Sequence, residues 1–311
     1  MSAKISILGS INRDYVAKTS RLPKVGETVD GFGLTVMTGG KGSNQAVQSA
    51  LLGVDTWFIG CVGDDENGKV VKNGLREKGV IVDYLNELKG EQTGNCTIYV
   101  DLNGDNMLVY YAGTNRMISR EQIDGAADVI RNSDIFITQN EINMDAIEYG
   151  LKLAKDAGVK TLLNPAPALP LSDELFSMLD YITPNETESE VYTGILRKDL
   201  PMDEWKRKNA EWFLNKGVKD VCITLGEQGS YYCDAENEIS VDAYAIEPVD
   251  TTAAGDSFNA AFAMGMAENW DVEEALLFAN ACGALTSMGM GAHPSICARV
   301  AVDKFVRERS K

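Results

Sequence analysis

Asp250-Thr251-Thr252-Ala253-Ala254-Gly255-Asp256-Ser257-Phe258 stands before an Ala-rich, apolar stretch of helical character, Asn259 to Ala267. The small residues Ala253, Ala254 and Gly255 are expected to leave backbone N–H groups bare at a helix start, which makes an anion hole. Asp256 falls in the first turn beside that hole. A carboxylate there can accept a proton from an attacking hydroxyl while the N–H groups hold charge developing on a phosphoryl group. The same aspartate would also serve a purely structural purpose, complementing the helix dipole.

Other segments offer partners for that chemistry. Thr38-Gly39-Gly40-Lys41-Gly42-Ser43-Asn44-Gln45-Ala46 lets backbone pass close to a ligand just before a helix, and Lys41 and Asn44 add donors that suit sugar hydroxyls. A capped flexible turn fits the same residues. Gly9-Ser10-Ile11-Asn12-Arg13-Asp14 follows the first strand-like segment, where Asn12 and Asp14 could face a polyol or simply cap a loop. In Thr183-Pro184-Asn185-Glu186-Thr187-Glu188, Asn185 and Glu188 share one face of a helical turn and could organise hydrated magnesium near phosphates. Thr224-Leu225-Gly226-Glu227-Gln228-Gly229 is a strand end and glycine turn suited to lying along a nucleotide. Met288-Gly289-Met290-Gly291-Ala292-His293-Pro294-Ser295 is a glycine loop whose carbonyls could face a cation or a base, with His293 read as a loop residue. Gly63 to Lys69 imitates a phosphate loop, but Val70 stands where a magnesium-holding Ser or Thr is needed, and three carboxylates crowd the loop. It reads as an acidic turn before a helix.

These segments need a frame. Ile5–Gly9, Trp57–Val62, Ile135–Thr138, Thr161–Leu163, Tyr181–Thr183 and Val221–Leu225 read as buried strands. Between them run helix-period stretches, Ser43–Leu52, Lys69–Lys78 and Ala146–Ala157, each stopped by a glycine (Gly53, Gly79, Gly158). Strands alternating with helices imply a parallel sheet covered on both faces. Two regions, about 13–38 and 92–112, break the rhythm with β-type runs, and Asn103-Gly104 marks a hairpin turn. They are expected to form a lid and a dimer contact; an edge hairpin packed on the main core is the other reading. Glu308-Arg309-Ser310-Lys311 reads as a frayed helix end.

Composition sets limits. The 311 residues carry 29 Lys plus Arg against 46 Asp plus Glu, a net charge of −17. That balance argues against nucleic acid and anionic membranes as partners. One histidine excludes sites built from two or more. Six scattered cysteines with no CxxC pair, and no leader-like start, suggest reduced thiols in a cytoplasmic protein.

Taken together and in order, the start motif, GGKGSNQA, Glu141 within Gln139-Asn140-Glu141, Asn164-Pro165-Ala166-Pro167-Ala168, TPNETE, TLGEQG, DTTAAGDSF and GAHPS resemble the ribokinase family of sugar kinases across essentially the whole chain. The resemblance implies one α/β kinase domain over 1–311, a three-layer sandwich of a mostly parallel sheet between helices with a small β-sheet lid. It implies ATP-dependent phosphorylation of a pentose at its primary hydroxyl, D-ribose first. Asp256 would be the base, and Ala253, Ala254 and Gly255 the anion hole. Asn12, Asp14, Gly40, Lys41, Asn44 and Glu141 would hold the sugar. Asn185, Glu188, Thr224, Gly226, Gly229, Gly255 and Asn280 would serve the nucleotide with Mg2+. Asp250, Thr252, Thr286, Gly289, Gly291 and Ser295 would hold K+. A homodimer through the lid is expected. Another sugar (deoxyribose, a ketohexose), a nucleoside, or a catalytically silent sugar-binding regulator stay open. Asn95-Cys96 and Tyr110-Tyr111 depart from the family's pattern near the pentose, being bulkier or more polar.

Overall fold

The computed structural model describes residues 2–309, so Met1 and the Ser310-Lys311 part of the expected frayed end lie outside the described residues. The strands are β1 (Lys4–Leu8), β2 (Asn12–Thr19), β3 (Gly31–Gly39), β4 (Asp55–Gly63), β5 (Ile81–Leu88), β6 (Asn95–Val100), β7 (Asn106–Tyr111), β8 (Ile135–Gln139), β9 (Lys160–Asn164), β10 (Tyr181–Ile182), β11 (Asp220–Thr224), β12 (Ser230–Cys233) and β13 (Glu238–Val241). Nine form one sheet in the order β13-β12-β11-β10-β9-β8-β1-β4-β5. Pairing is parallel from β5 to β11 and antiparallel for β12 and β13.

The strands are apolar on both sides because both faces are covered. Ile5, Ile7, Phe58 and Ile137 pack with Val47, Phe258 and Phe262 on one face. Leu8, Ile59 and Phe136 pack with Ile147, Leu151, Trp205 and Phe213 on the other. Truncating a fully buried aromatic such as Phe58 would cost about 3–5 kcal/mol. Gly53, Gly79 and Gly158 all adopt the left-handed φ expected beyond a helix end. The expected acidic turn is there: Asp65 caps the helix Glu66–Glu77 and accepts from Gly68 N–H at 2.8 Å.

From β1 the sheet grows outward through β4 and β5. The chain then returns to β8, on the other side of β1, and grows the opposite way. That reversal opens a crevice at the carboxyl ends of β1 and β8, the place where open α/β sheets bind ligands. Over it stands a separate four-stranded sheet, β3-β2-β6-β7, with β2 parallel to β6 and the other pairs antiparallel. The alternative of an edge hairpin on the main sheet is therefore not what forms. All six residues of β7 are exposed. Among the described residues no helix is long and apolar enough to cross a membrane.

Candidate active site

A cleft of about 490 Å³ lies along the carboxyl edge of the parallel strands, with Cys96, Ile98, Leu108 and Tyr110 of the small sheet at its rim. Its size suits a small ligand. Polar groups reach it from several strand ends and from the segments that follow them. Asn12 and Asp14 come after β1, Glu141 after β8, and Asn164 at the end of β9. Thr183, Asn185 and Glu188 follow β10, and Thr224 ends β11.

Gly40, Lys41 and Asn44 line the cleft at the start of the helix Lys41–Leu51. That helix start approaches the β1 loop so closely that a Cβ on Gly42 would lie 2.7 Å from the Cα of Gly9, so no side chain fits there. Glu141 is anchored from two sides: its Oε2 accepts from the Ser10 hydroxyl at 2.6 Å and from Lys41 N–H at 3.0 Å.

Asp256 sits in the first turn of the helix Ala254–Ala267, which starts five residues before the apolar stretch that announced it. The Asp256 carboxylate accepts from Asn44 Nδ2 at 2.8 Å and from Gln45 Nε2 at 3.3 Å. Burial raises its pKa above the ordinary aspartate value, only partly offset by Lys41, Asn44 and Gln45. Burial opposes the charge of Lys41, but Asp256, Glu141 and Glu188 outweigh it and hold the ammonium above the usual lysine pKa. Burial and then the like charge of Glu141 push Asp14 up to about 7. Burial likewise raises Glu188.

The anion hole differs from expectation in one member. Ala253 caps the helix in a left-handed conformation (φ 65) and, with Gly255, lines the cleft. Ala254 does not line it, and its N–H donates to Thr251 C=O at 3.1 Å. A second difference concerns Asn44. One N–H of its amide goes to Asp256, and its Oδ1 is buried with no protein partner. Asp14 Oδ1 and Asn259 Oδ1 are likewise buried without a partner. Asn44, Asp14 and Asn259 all line the cleft, so it gathers three buried acceptors without a protein donor.

Asn185 and Glu188 form a capping box on the helix Glu186–Thr193: Glu188 N–H donates to Asn185 Oδ1 at 2.8 Å, and Asn185 N–H to Glu188 Oε2 at 2.9 Å. Both still line the cleft. Gly226, Gly229 and Asn280 do not. A Cβ on Gly229 would lie 2.0 Å from Val241 C=O, so strand packing demands that glycine. Asn280 Nδ2 donates to the carbonyls of Val241 and Asp242 at 3.3 and 3.4 Å.

The candidate cation residues gather in a neighbouring cluster that meets the cleft through Thr252 and Ala292. Asp250 accepts from Thr252 N–H at 2.9 Å and from Gly291 N–H at 2.8 Å. These bonds outweigh the effect of its burial and hold its carboxyl below the usual range. Gly291 C=O accepts from the Ser295 hydroxyl at 2.6 Å, and Gly289 N–H donates to Thr286 C=O at 3.1 Å. His293 is buried, not merely a loop residue: its Nε2 lies 3.2 Å from the Ser43 hydroxyl, and burial pushes its pKa down to about 4.

Sequence reasoning gave no part to Gln45, Asn164 or Asn259, although the first two stand inside quoted motifs. Gln45 links Asp256 to Asn164 and accepts from Gln139 Nε2 at 2.7 Å. Of the departing residues, Cys96 and Tyr110 line the cleft, whereas Asn95 and Tyr111 do not.

A buried carboxylate at a helix start thus shares one cleft of an α/β sandwich with several amide and carboxylate side chains. The chain belongs to the pfkB family of carbohydrate kinases, whose family model matches residues 2–297. It is 37% identical over 306 residues to the ribokinase of Haemophilus influenzae, covering 98% of this chain and 99% of that one. It is 32% identical over 298 residues to the deoxyribokinase of Salmonella typhi, covering 94% and 96%. The structure of Arabidopsis thaliana ribokinase complexed with ribose and ATP matches with a TM-score of 0.92 at 32% identity, covering 99% of each chain. The resemblance read from the motifs and the fold expected from it both hold.

Proposed function

We propose that the chain transfers the γ-phosphoryl group of ATP to the primary hydroxyl of D-ribose, giving ribose 5-phosphate. The observation that carries this reading is Asp256, buried at a helix start and facing the same cleft as the unpaired oxygens of Asp14, Asn44 and Asn259. The sugar hydroxyls donate to those oxygens, with Asn12, Gly40, Lys41 and Glu141 completing the sugar's surroundings. As the primary oxygen bonds to phosphorus, its proton passes to the Asp256 carboxylate and the bond from phosphorus to the ADP oxygen breaks. Raised basicity at Asp256 favours that transfer. Charge on the moving group is met by N–H groups around Ala253 and Gly255, with Lys41 near by. Phosphoryl transfer asks mainly for such positioning and charge stabilisation.

The nucleotide lies along Asn185, Glu188 and Thr224, with the Gly226–Gly229 turn and Asn280 farther out. Among the described residues no cluster of three or more His, Cys, Asp or Glu could cage a metal. The Glu188 carboxylate, which lines the cleft, suits a hydrated magnesium carried by the phosphates, which would neutralise their charge. The donors of the Asp250 cluster are oxygens only: a carboxylate, hydroxyls of Thr252, Thr286 and Ser295, and carbonyls around Gly289 and Gly291. That set suits potassium, which would add positive charge beside the anion hole.

In this reading the whole chain is one cytoplasmic kinase domain, the small sheet is its lid, and the lid's outer face pairs two copies. Deoxyribose is the second reading, favoured by the similarity to a deoxyribokinase. ATP consumption measured over ribose, deoxyribose, fructose and nucleosides tests it. Ribose should give the highest kcat/KM; turnover of another sugar would replace the substrate, and no turnover at all would favour a sugar-binding regulator.

A further inference from the structure

Asn115 is fully buried in the short turn Gly113–Arg116, directly after β7 leaves the small sheet. Its Oδ1 accepts from Ile11 N–H at 3.0 Å. Its Nδ2 donates to Ile11 C=O at 3.2 Å and to Asn12 Oδ1 at 2.8 Å. A backbone N–H can only donate and a C=O can only accept. The two groups of Ile11 therefore fix which way the Asn115 amide points. That in turn fixes Asn12: its oxygen must face Asn115, and its N–H₂ is the end left for the cleft.

The surroundings are shaped for this contact. A Cβ on Gly94 would lie 2.2 Å from Asn115 Nδ2 and 2.6 Å from Asn12 Oδ1, so any side chain there would push the pair apart. Gly94 C=O also accepts from Arg13 N–H at 2.8 Å. The amide thus sits at the root of the small sheet, where β2 and β6 begin and β7 ends.

We infer that Asn115 is a positioning residue that makes Asn12 a hydrogen-bond donor, and not an acceptor, toward the sugar. The inference rests on the proposed sugar site. Asn115→Asp keeps the shape and the bond from Ile11 N–H but can no longer donate. Asn12 then turns its N–H₂ toward the new carboxylate and shows the sugar an oxygen.

The test uses the full chain and measures kcat, the KM values for D-ribose and ATP, and melting temperature for Asn12→Ala, Asn115→Asp and the double variant. Asn115→Asp is expected to raise the ribose KM about tenfold or more while ATP KM stays within about twofold. In the Asn12→Ala background it should change ribose KM by less than about twofold, because two residues acting through one contact are not additive. An unchanged ribose KM in Asn115→Asp, or the same effect in both backgrounds, overturns the inference and leaves Asn115 a structural residue. If Asn12→Ala itself leaves ribose KM unaltered, the sugar-site reading fails, and the inference with it. Should Asn115→Asp not fold, Gly94→Ala takes its place in the cycle. It should raise ribose KM in the native background alone; equal effects in both backgrounds overturn the inference.

Discussion

Asn44 donates its side-chain amide to the Asp256 carboxylate at 2.8 Å, joining the first turns of two helices that lie more than 200 residues apart in sequence. The bond orients the proposed base from the sugar side. Replacing Asp256 by Asn keeps the shape but removes proton acceptance. Turnover should fall on the order of a hundredfold or more with little change in ribose KM. Near-normal turnover would end the assignment of Asp256 as the base.

Asp14 should make sugar affinity depend on pH. Its pKa is pushed up to about 7, so it takes up a proton as the solution is acidified through neutrality. A protonated carboxyl is a poorer acceptor, and ribose KM should rise as pH falls from about 8 to about 6. Stability runs the other way. A folded-state pKa above the unfolded one adds stability that is fully present below the unfolded value and is lost as pH rises through about 7. Asp14→Asn should have a high ribose KM that stays flat across this window; a slope equal to that of the native chain would assign the titration to another group.

Potassium should activate. At saturating ribose and ATP, replacing a large organic cation by potassium is expected to raise kcat about tenfold. Asp250→Asn should abolish most of that response. Identical rates in the two salts would remove the cation from the proposal.

The small sheet gives a prediction for assembly. Leu34, on β3, is 69% exposed and Val109, on β7, is 68% exposed, and strand alternation and register put both on the side away from the cleft. A buried carboxylate without a partner is costly, so Val109→Glu should convert a dimer into a monomer in sedimentation. A native chain that sediments as a monomer at micromolar concentration would refute the lid-paired dimer.

Much of this was legible locally. Strands apolar on both faces read clearly because each residue of Ile5–Leu8 or Ile135–Ile137 is buried whichever way it points. The glycine stops read clearly because a left-handed turn needs no tertiary context. The Asp256 helix start and the Gly40–Asn44 segment were visible for the same reason: each is one turn of chain. Convergent features were not visible. Gln45, Asn164 and Asn259 matter through partners far away in sequence, and no spacing rule connects them. That Asn44 spends an N–H on Asp256 could not be read before the two helix starts were seen side by side. The packing of Gly229 against Val241, which demands a glycine whatever the turn binds, also had no signal in the sequence.

The exposed strand β7 and the net charge of −17 set up a contest between two ranges of force. Like-charged copies repel over a distance set by ionic strength, about 10 Å at 0.1 M and about 3 Å at 1 M. Apolar contact acts only when surfaces touch, and added salt does not weaken it. Association through the small sheet should therefore tighten as salt is added, the reverse of a contact held by ion pairs, and dilute low-salt buffer is where single chains will collect.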